Sequence, residues 1–486
     1  MNSILTKKYF LITALILLAH YVSGWGTDKV ISPFEPTAQH SLAVKQNGVL
    51  FAAMPGAATG PDMVSVYTST DNGDTWSLVP MSGLPAIGAV VKTKMVVTGL
   101  DSVYCVFLQN NILNFLNAET GTLGQFTLSG IQDFDCAASS ASNWIYVYVQ
   151  EPLNNDIRRY GTVDGGLSFT GNSATVTSNG ASPKICMSGT RLILNYYGPV
   201  LPDTAASDIV AAFYDETTPG TLAPGTFQDV IVSNGLKRKQ FKTVFINSNA
   251  WFLFTEGDTG QQLKCITSVN NGVTYLPEFI VAGNASLSAY WFDAAAYSNP
   301  IGSGVTLTFL ADSVAPVGAS FDQLQFVTSS TLSPGAFTTF MPPDNTYNDT
   351  TVASALTGIL PVMINYSSSS VNETGIAWAG ISPQGPWLFF DRLNATVGIN
   401  EPFNSEALLI FPSPARDIIQ VKLNSEMSIS QYQVLDAEGR MIITGKIRPL
   451  NSESEIQIDI SSLTAGNYVI KLISATQTSH ARFVVL

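Results

Sequence analysis

The octapeptide STDNGDTW, residues 69–76, gathers side chains that can either bind a metal ion or shape a turn. Asp71 and Asp74 flank Gly73, and oxygen ligands around a glycine are a feature of calcium loops. The stretch lacks the ligand spacing and the closing glutamate of an EF-hand. A glycine instead permits positive φ in a tight hairpin, and the aspartate can accept hydrogen bonds from N–H groups of the turn. We therefore interpret the octapeptide as a structural turn and predict no metal or cofactor there.

Two further stretches repeat the order hydroxyl residue, Asp or Asn, Gly and aromatic residue. They are TVDGGLSF (162–169) and SVNNGVTY (268–275). The residues that define the three copies are Ser69, Asp71, Gly73, Trp76, Thr162, Asp164, Gly166, Phe169, Ser268, Asn270, Gly272 and Tyr275. The pattern resembles the Asp box of sialidase-type β-propellers, where the box is structural and lies away from the catalytic face. The resemblance implies a propeller in which the ring of Trp76 is buried between adjacent sheets.

Weaker glycine turns between the boxes extend the repeat. Together with the box glycines they fall at residues 73, 121, 166, 220, 272, 335 and 385. A strand-like run precedes each turn and a more apolar run lies upstream of it; in the last repeat these are GIAWAG (375–380) and LPVMINY (360–366). A period of about 50 residues is that of a four-stranded propeller blade. The sequence therefore predicts an all-β, seven-bladed propeller over residues 28–397, with six blades as the main alternative.

Histidine and arginine are scarce, which argues against two kinds of active site. After residue 24 the chain has only His40 and His480, too few for a histidine-based triad or metal site. We expect His40 at a surface or turn, with the propeller entrance as the alternative. Sialidases hold the substrate carboxylate with three arginines, the first in a motif before the first inner strand. Here that region, TAQHSLAVKQNGVLFAA (37–53), contains no arginine, so the resemblance implies no true sialidase activity.

The last 78 residues, 409–486, carry a second set of motifs after a short linker at 398–408. They are FPSPA (411–415), DAEGR (436–440), LTAGNY (463–468) and RFVV (482–485). Their defining residues are Pro412, Pro414, Asp436, Gly439, Arg440, Gly466 and Tyr468. In this order the motifs resemble the type A C-terminal sorting domain of the type IX secretion system of Bacteroidetes. The resemblance implies a small antiparallel β-sandwich that partners the type IX machinery and directs passage across the outer membrane.

Residues 1–24 read as a secretory signal peptide, with Lys7 and Lys8 before a 14-residue apolar stretch, Tyr9 to Val22. No later stretch is long and apolar enough for a membrane span. The formal net charge of −13 makes nucleic acid an improbable partner, because phosphate contacts need clustered Lys and Arg. Four cysteines are too few for a disulfide-rich scaffold, and buried free thiols fit them as well as bridges do. We expect an extracellular or outer-membrane surface protein.

The leading functional hypothesis is a non-catalytic binding protein whose propeller recognises a glycan or protein ligand. Tyr196 and Tyr197 in NYYGPV (195–200) are the candidate ligand-binding residues, because tyrosine rings can stack on sugars. A glycoside hydrolase with a carboxylate pair is one alternative, since the chain has 36 Asp and Glu residues, although no local pattern selects two of them. A scaffold of an extracellular assembly is the other.

Overall fold

The chain is described by a computed structural model. It describes residues 25, 28–57, 60–80, 88–126, 130–152, 155–169, 174–199, 207–231, 238–246, 249–257, 262–270, 274–283, 287–299, 302–313, 323–329, 337–339, 359–368, 371–382, 384–393, 408–411, 415–423, 429–435, 441–446, 455–474 and 478–485. The chain divides into two compact units, Met1–Gly398 and Ile399–Leu486. All regular elements of the described residues are β-strands, so the all-β class is confirmed. The predicted signal peptide, residues 1–24, lies outside the described residues.

The described residues of the first unit form seven four-stranded antiparallel sheets, here called blades 1 to 7. Blade 1 comprises β2 (Ser41–Val44), β3 (Leu50–Ala57), β4 (Gly60–Ser69) and β5 (Ser77–Leu78). Blade 2 comprises β6 (Val90–Val97), β7 (Val103–Gln109), β8 (Ile112–Asn117) and β9 (Leu123–Phe126). Blade 3 comprises β10 (Asp133–Ala138), β11 (Ile145–Gln150), β12 (Ile157–Thr162) and β13 (Ala174–Thr177). Blade 4 comprises β14 (Ala181–Ser188), β15 (Arg191–Tyr197), β16 (Ile209–Thr218) and β17 (Thr221–Ile231). Blade 5 comprises β18 (Arg238–Ile246), β19 (Asn249–Glu256), β20 (Gln262–Ser268) and β21 (Phe279–Ala282). Blade 6 comprises β22 (Leu287–Asn299), β23 (Gly302–Ser313), β24 (Gln323–Ser329) and β25 (Phe337–Thr339). Blade 7 comprises β26 (Val362–Ser368), β27 (Val371–Ser382), β28 (Gly385–Leu393) and β1 (Lys29–Ser32).

The first strands of the blades, β2, β6, β10, β14, β18, β22 and β26, contact one another in this order, and β26 contacts β2. These seven innermost strands therefore form a closed ring, which is the arrangement of a propeller. The second strands are the apolar runs of the sequence. β7, β11 and β19 are buried along their whole length, as expected for strands covered on both faces by neighbouring blades.

Blade 7 closes the ring with strands from both ends of the propeller. Its order is β1-β28-β27-β26, so the outermost strand comes from the N-terminal side of the chain. In this blade LPVMINY lies in the innermost strand and GIAWAG in the second, whereas the matching runs of earlier repeats lie in second and third strands. The expected equivalence of the last repeat with the others is therefore wrong. Gly385 lies at the turn between the second and third strands of blade 7, β27 and β28. The fourth strand of this blade does not follow that turn, because it is β1, from the N-terminal side of the chain.

In the second unit, the residues that the structure describes form two antiparallel sheets. Their orders are β29-β30-β33 and β32-β31-β34-β35, and the strands are β29 (Leu408–Phe411), β30 (Ile418–Leu423), β31 (Ile429–Leu435), β32 (Met441–Lys446), β33 (Glu455–Asp459), β34 (Gly466–Ser474) and β35 (Thr478–Val485). Both sheets contribute buried residues to one core, among them Ile419, Val421 and Ile470. Leu408, the last residue of the predicted linker, is the first residue of β29, and the linker residues before it lie outside the described residues.

Candidate functional site

The first Asp box is a network of hydrogen bonds within its own turn. The Ser69 hydroxyl donates to the Asp71 carboxylate at 2.8 Å and accepts from the Gly73 N–H at 2.8 Å. The same carboxylate accepts from the Thr75 N–H at 2.9 Å and from the Thr75 hydroxyl at 2.5 Å. These donors, the Thr75 hydroxyl first, lower the pKa of Asp71 to about 2. Gly73 has φ 91°, which a side chain rarely adopts.

The second and third boxes repeat this network. Asp164 accepts from the Thr162 hydroxyl at 2.8 Å and the Ser168 N–H at 2.9 Å, and the Gly166 N–H donates to Thr162 at 2.8 Å. In the third box Asn270 takes the place of the aspartate. Its Oδ1 accepts from the Thr274 N–H at 2.9 Å, and its Nδ2 donates to the Thr274 hydroxyl at 2.9 Å. An uncharged amide therefore performs the same task. Ser268 donates to Asn270, and Gly272 lies outside the described residues.

Each box also packs against the preceding blade of the ring. The Trp76 ring contacts Phe390 of blade 7 edge to face at 5.3 Å, and Phe169 contacts Phe115 of blade 2 at 5.5 Å. Tyr275 packs against a hydrophobic cluster that includes Phe213 of blade 4. A Cβ on Gly73 would lie 2.2 Å from the Phe390 ring, so the glycine is needed for this close approach as well as for its φ. The boxes therefore join neighbouring blades.

The remaining carboxylate of the first box also serves this junction. Asp74 forms ion pairs with Arg392 of blade 7 at 2.9 Å and with Lys29 of β1 at 3.4 Å. Both acids that suggested a calcium loop are thus held by protein donors.

Tyr196 and Tyr197 lie near the end of β15 and are each only 5% exposed. Neighbouring residues of a strand face opposite sides of the sheet. Tyr196 packs in the core between blades 3 and 4, and Tyr197 lies edge to face on Phe241 of blade 5 at 4.9 Å. The pair does not form an exposed aromatic surface. Only Tyr197 reaches the wall of a cavity.

That cavity, here called the axial cavity, lies inside the ring of innermost strands and has a volume of about 520 Å³. All seven innermost strands, or the residues just before them, contribute to its wall. Because side chains alternate along a strand, residues two positions apart, such as Lys92 and Lys94, lie on the same face of the sheet. The ionic residues of the wall are Lys92, Lys94, Lys184, Lys242, Asp135 and Asp293.

The two carboxylates of the wall occupy equivalent positions. Asp135 of β10 is paired with Lys94 of the preceding innermost strand at 3.1 Å and accepts from the Ile185 N–H of the following one at 2.9 Å. Asp293 of β22 is paired in the same way with Lys242 and accepts from the Met363 N–H at 2.8 Å. Each carboxylate thus joins three consecutive blades.

These ion pairs govern the electrostatics of the wall. Burial opposes the charge of Asp135, but Lys94, Lys92 and Lys184 outweigh it and lower the pKa of this carboxyl to about 2. Burial also opposes the charge of Lys92, yet Asp133 and Asp135 raise its pKa. Lys92 is paired with Asp133 at 3.0 Å. The charged forms of Asp135 and Lys92 are therefore favoured in the cavity wall.

His40 is 1% exposed and lies in the cavity wall, so the expectation of a surface or turn histidine is wrong. One ring nitrogen, Nε2, lies 3.1 Å from the carbonyl oxygen of Ala377 in blade 7. Burial lowers its pKa to about 4, so the ring is neutral at pH 7. His40 is buried because it adjoins β2, an innermost strand of only four residues that is itself mostly buried.

The cysteines of the chain are free thiols. Cys105, Cys136 and Cys265 are buried and Cys186 is partly buried. Burial raises the pKa of each of these thiols.

Sequence reasoning missed the axial cavity because its residues come from seven distant segments. A signal was nevertheless present. The innermost strands contain KTK (92–94), DFD (133–135) and QFK (240–242), in which polar residues alternate with others at the period of a strand. Only the ring shows that these residues face one another.

The sorting-domain motifs are described in part. Tyr468 is 7% exposed, donates to the carbonyl oxygen of Thr464 at 2.8 Å and stacks on Phe483 at 5.8 Å. Gly466 is the first residue of β34. The other predicted residues of the sorting signal, Pro412, Pro414, Asp436, Gly439 and Arg440, lie outside the described residues.

Among solved structures, three similar proteins are an α-L-arabinofuranosidase from Fusarium graminearum, the lectin BP39L from Burkholderia pseudomallei and the sialidase NanB from Streptococcus pneumoniae. The arabinofuranosidase is 11% identical with a TM-score of 0.43, covering 76% of this chain and 97% of its own. The lectin is 10% identical with a TM-score of 0.48, covering 74% and 96%. The sialidase is 11% identical with a TM-score of 0.40, covering 76% and 70%. At such values these likenesses assign no activity to this chain.

The comparison with curated protein sequences finds no match. No helix among the described residues is long and apolar enough to cross a membrane. Residues 409–486 match the family model of the secretion system C-terminal sorting domain. The match confirms the predicted type IX sorting domain, which indicates secretion to the cell surface or the medium.

Proposed function

We propose that this chain is an exported, non-catalytic binding protein whose propeller takes a small glycan into the axial cavity. The observation that carries the proposal is the state of the cavity carboxylates. Asp135 and Asp293 are each bound to a lysine and to a backbone N–H of the next blade. Groups engaged in this way hold the blades together and are not available for proton transfer.

Hydrolysis of a glycosidic bond requires a different arrangement. One carboxyl must carry a proton near neutral pH to protonate the leaving oxygen, and a second must act as nucleophile or base. The pKa of Asp135 lies near 2, so this carboxyl holds no proton at pH 7. The cavity therefore supports binding better than the hydrolase alternative.

The size and wall of the cavity suit a small saccharide. A volume of about 520 Å³ falls within the range of small-molecule pockets. Trp291 in the cavity wall supplies an aromatic side chain of the kind that packs on sugar rings. The sorting domain and the predicted signal peptide support export, which would bring this cavity to extracellular glycans.

A glycan array probed with the purified protein tests the proposal, with mass spectrometry of the exposed glycans as a second readout. We expect selective binding and intact glycans. Val362 lies on β26 in the cavity wall, so Val362→Trp narrows the cavity and should abolish binding. The matched control Thr175→Trp adds the same side chain at an exposed position of β13 and should leave binding unchanged.

Cleaved glycans would overturn the proposal in favour of a glycoside hydrolase. Binding that Val362→Trp leaves intact would place the ligand outside the axial cavity. No binding to any glycan would overturn the glycan proposal and favour a protein ligand or a scaffold role.

A further inference from the structure

Four lysines line the axial cavity, and three of them are paired with a carboxylate. Lys92 is paired with Asp133 at 3.0 Å, Lys94 with Asp135 at 3.1 Å, and Lys242 with Asp293. The fourth lysine of the wall, Lys184 of β14, has neither a hydrogen bond nor an ion-pair partner among the described residues. A lone charge inside a protein is costly, and the chain as a whole is acidic, with a formal net charge of −13.

A second unused donor lies directly beside Lys184. Asn195 of β15 is the cross-strand partner of Lys184, so both side chains project from the same face of blade 4. Asn195 is 1% exposed and belongs to the same cavity wall. Its Oδ1 accepts from the Thr243 hydroxyl at 2.6 Å, while its Nδ2 has no partner among the described residues. An ammonium group and an amide N–H₂ group therefore lie side by side without an acceptor.

We propose that Lys184 and Asn195 bind the anionic group, a carboxylate or a sulfate, of the ligand that enters the axial cavity. The inference rests on the proposed binding function and names the chemical class of its ligand, an acidic saccharide. An oxyanion supplies the acceptors that both donors lack, and a hydrogen bond with a charged partner is stronger than one between neutral groups.

The charge state of Lys184 agrees with a role in binding. Burial and then the neighbouring Lys92 lower its pKa to about 8, so the side chain is mostly protonated at pH 7. It is therefore a cationic donor at that pH. A bound anion would restore its pKa toward the ordinary value.

Thermal unfolding in sodium sulfate, compared with sodium chloride at equal ionic strength, tests the site without a known glycan. We expect sulfate to raise the Tm of the wild type in a saturable manner and to have no such effect on Lys184→Met. Lys184→Arg keeps the charge and should keep part of the effect. The matched control is Lys45→Met, because Lys45 is paired with Glu119 at 2.6 Å and lies outside the cavity.

Asn195→Asp gives a second variant that does not depend on loss of the lysine. The new carboxylate can still accept from Thr243 and places an anion beside Lys184. We expect this variant to lose the response to sulfate. An unchanged sulfate response in both Lys184→Met and Asn195→Asp would overturn the assignment of the site, and so would the absence of a response in the wild type.

Two matched sugars separate this inference from the proposed function. Methyl glucuronide and methyl glucoside differ only in a carboxylate, and calorimetry on the wild type should show tighter binding of the glucuronide by roughly 10- to 100-fold. Lys184→Met should remove that preference. Equal affinity for both sugars would leave the binding function standing and overturn the anion site.

Discussion

The Asp-box turns and the axial cavity use the same residue types for different purposes. In the boxes, a carboxylate or amide at the surface accepts bonds from residues within four positions along the chain. In the cavity, a buried carboxylate accepts bonds from two other blades, as Asp135 does from Lys94 and Ile185. Local bonds need only a short motif, whereas the cavity bonds need the closed ring. The two regions should therefore respond differently to the same substitution.

The largest effect is expected when aspartate is replaced by asparagine in each region. Asp135→Asn leaves Lys94 without its anion in the cavity wall and should lower the free energy of unfolding by about 3–5 kcal/mol. Asp71→Asn should change it by less than about 0.5 kcal/mol, because the third box already uses Asn270 at this place. Chemical denaturation measures both values. Equal losses would contradict the contrast between the regions.

Substitution of two glycines tests how much the contact between an Asp box and the preceding blade contributes to stability. Gly73 and Gly121 both have positive φ, but only at Gly73 would a Cβ meet another residue, the Phe390 ring at 2.2 Å. Gly73→Ala should cost about 2–4 kcal/mol, from backbone strain and the clash together. Gly121→Ala should cost about 1 kcal/mol from strain alone. The difference in Tm between the variants reports the blade contact, and similar values would argue against it.

Replacement of Lys184 is expected to stabilise the protein, in contrast to the substitutions of Asp135 and Gly73. Lys184→Met removes an unpaired charge from a partly buried position, so we expect Tm at pH 7 to rise by about 2–5 °C. Asp135 keeps Lys94 and Lys92 nearby in this variant. A lysine that served the fold would give a lower Tm instead.

The effect of Lys184→Met on stability should also depend on pH. The pKa of Lys184 is about 8 in the native protein and 10.5 in its ordinary state, so between these values the unfolded chain binds more protons. The contribution of Lys184 to the free energy of unfolding therefore rises with pH between about 8 and 10.5. The charged groups that act on it are Lys92, Lys94, Asp133 and Asp135, and Lys242 lies on the next innermost strand. The stability advantage of Lys184→Met over the wild type should shrink from pH 8 to pH 10.

The smallest expected effect is the acid response of the first box. The pKa of Asp71 is lowered to about 2, so its contribution to stability is present above its ordinary pKa of 3.8 and is lost as pH falls toward 2. The carboxylate is largely exposed, so solvent screens the contribution to below about 1 kcal/mol. Asp71→Asn should remove this part of the acid response, as measured by Tm at pH 2 to 4. An identical acid response in the variant would show that the carboxylate's charge is unimportant for the turn.

Much of the fold follows from features that are local in the sequence. A glycine with positive φ, an acceptor two residues before it and an apolar run upstream specify a hairpin in a sheet covered on both faces. The sorting motifs are likewise short and lie in order in one segment. Such features are legible because the interacting atoms belong to neighbouring residues.

The closure of the ring and the chemistry of the cavity were decided only by tertiary structure. The sequence does not show that β1 completes blade 7, because that pairing joins strands more than 350 residues apart. Nor does it show that His40 is covered or that Tyr196 is packed between blades. Lys94, Lys184 and Lys242 look alike along the chain. Only the ring gives two of them a carboxylate and leaves the third without one, since ion pairing depends on distances of a few ångströms between separate blades.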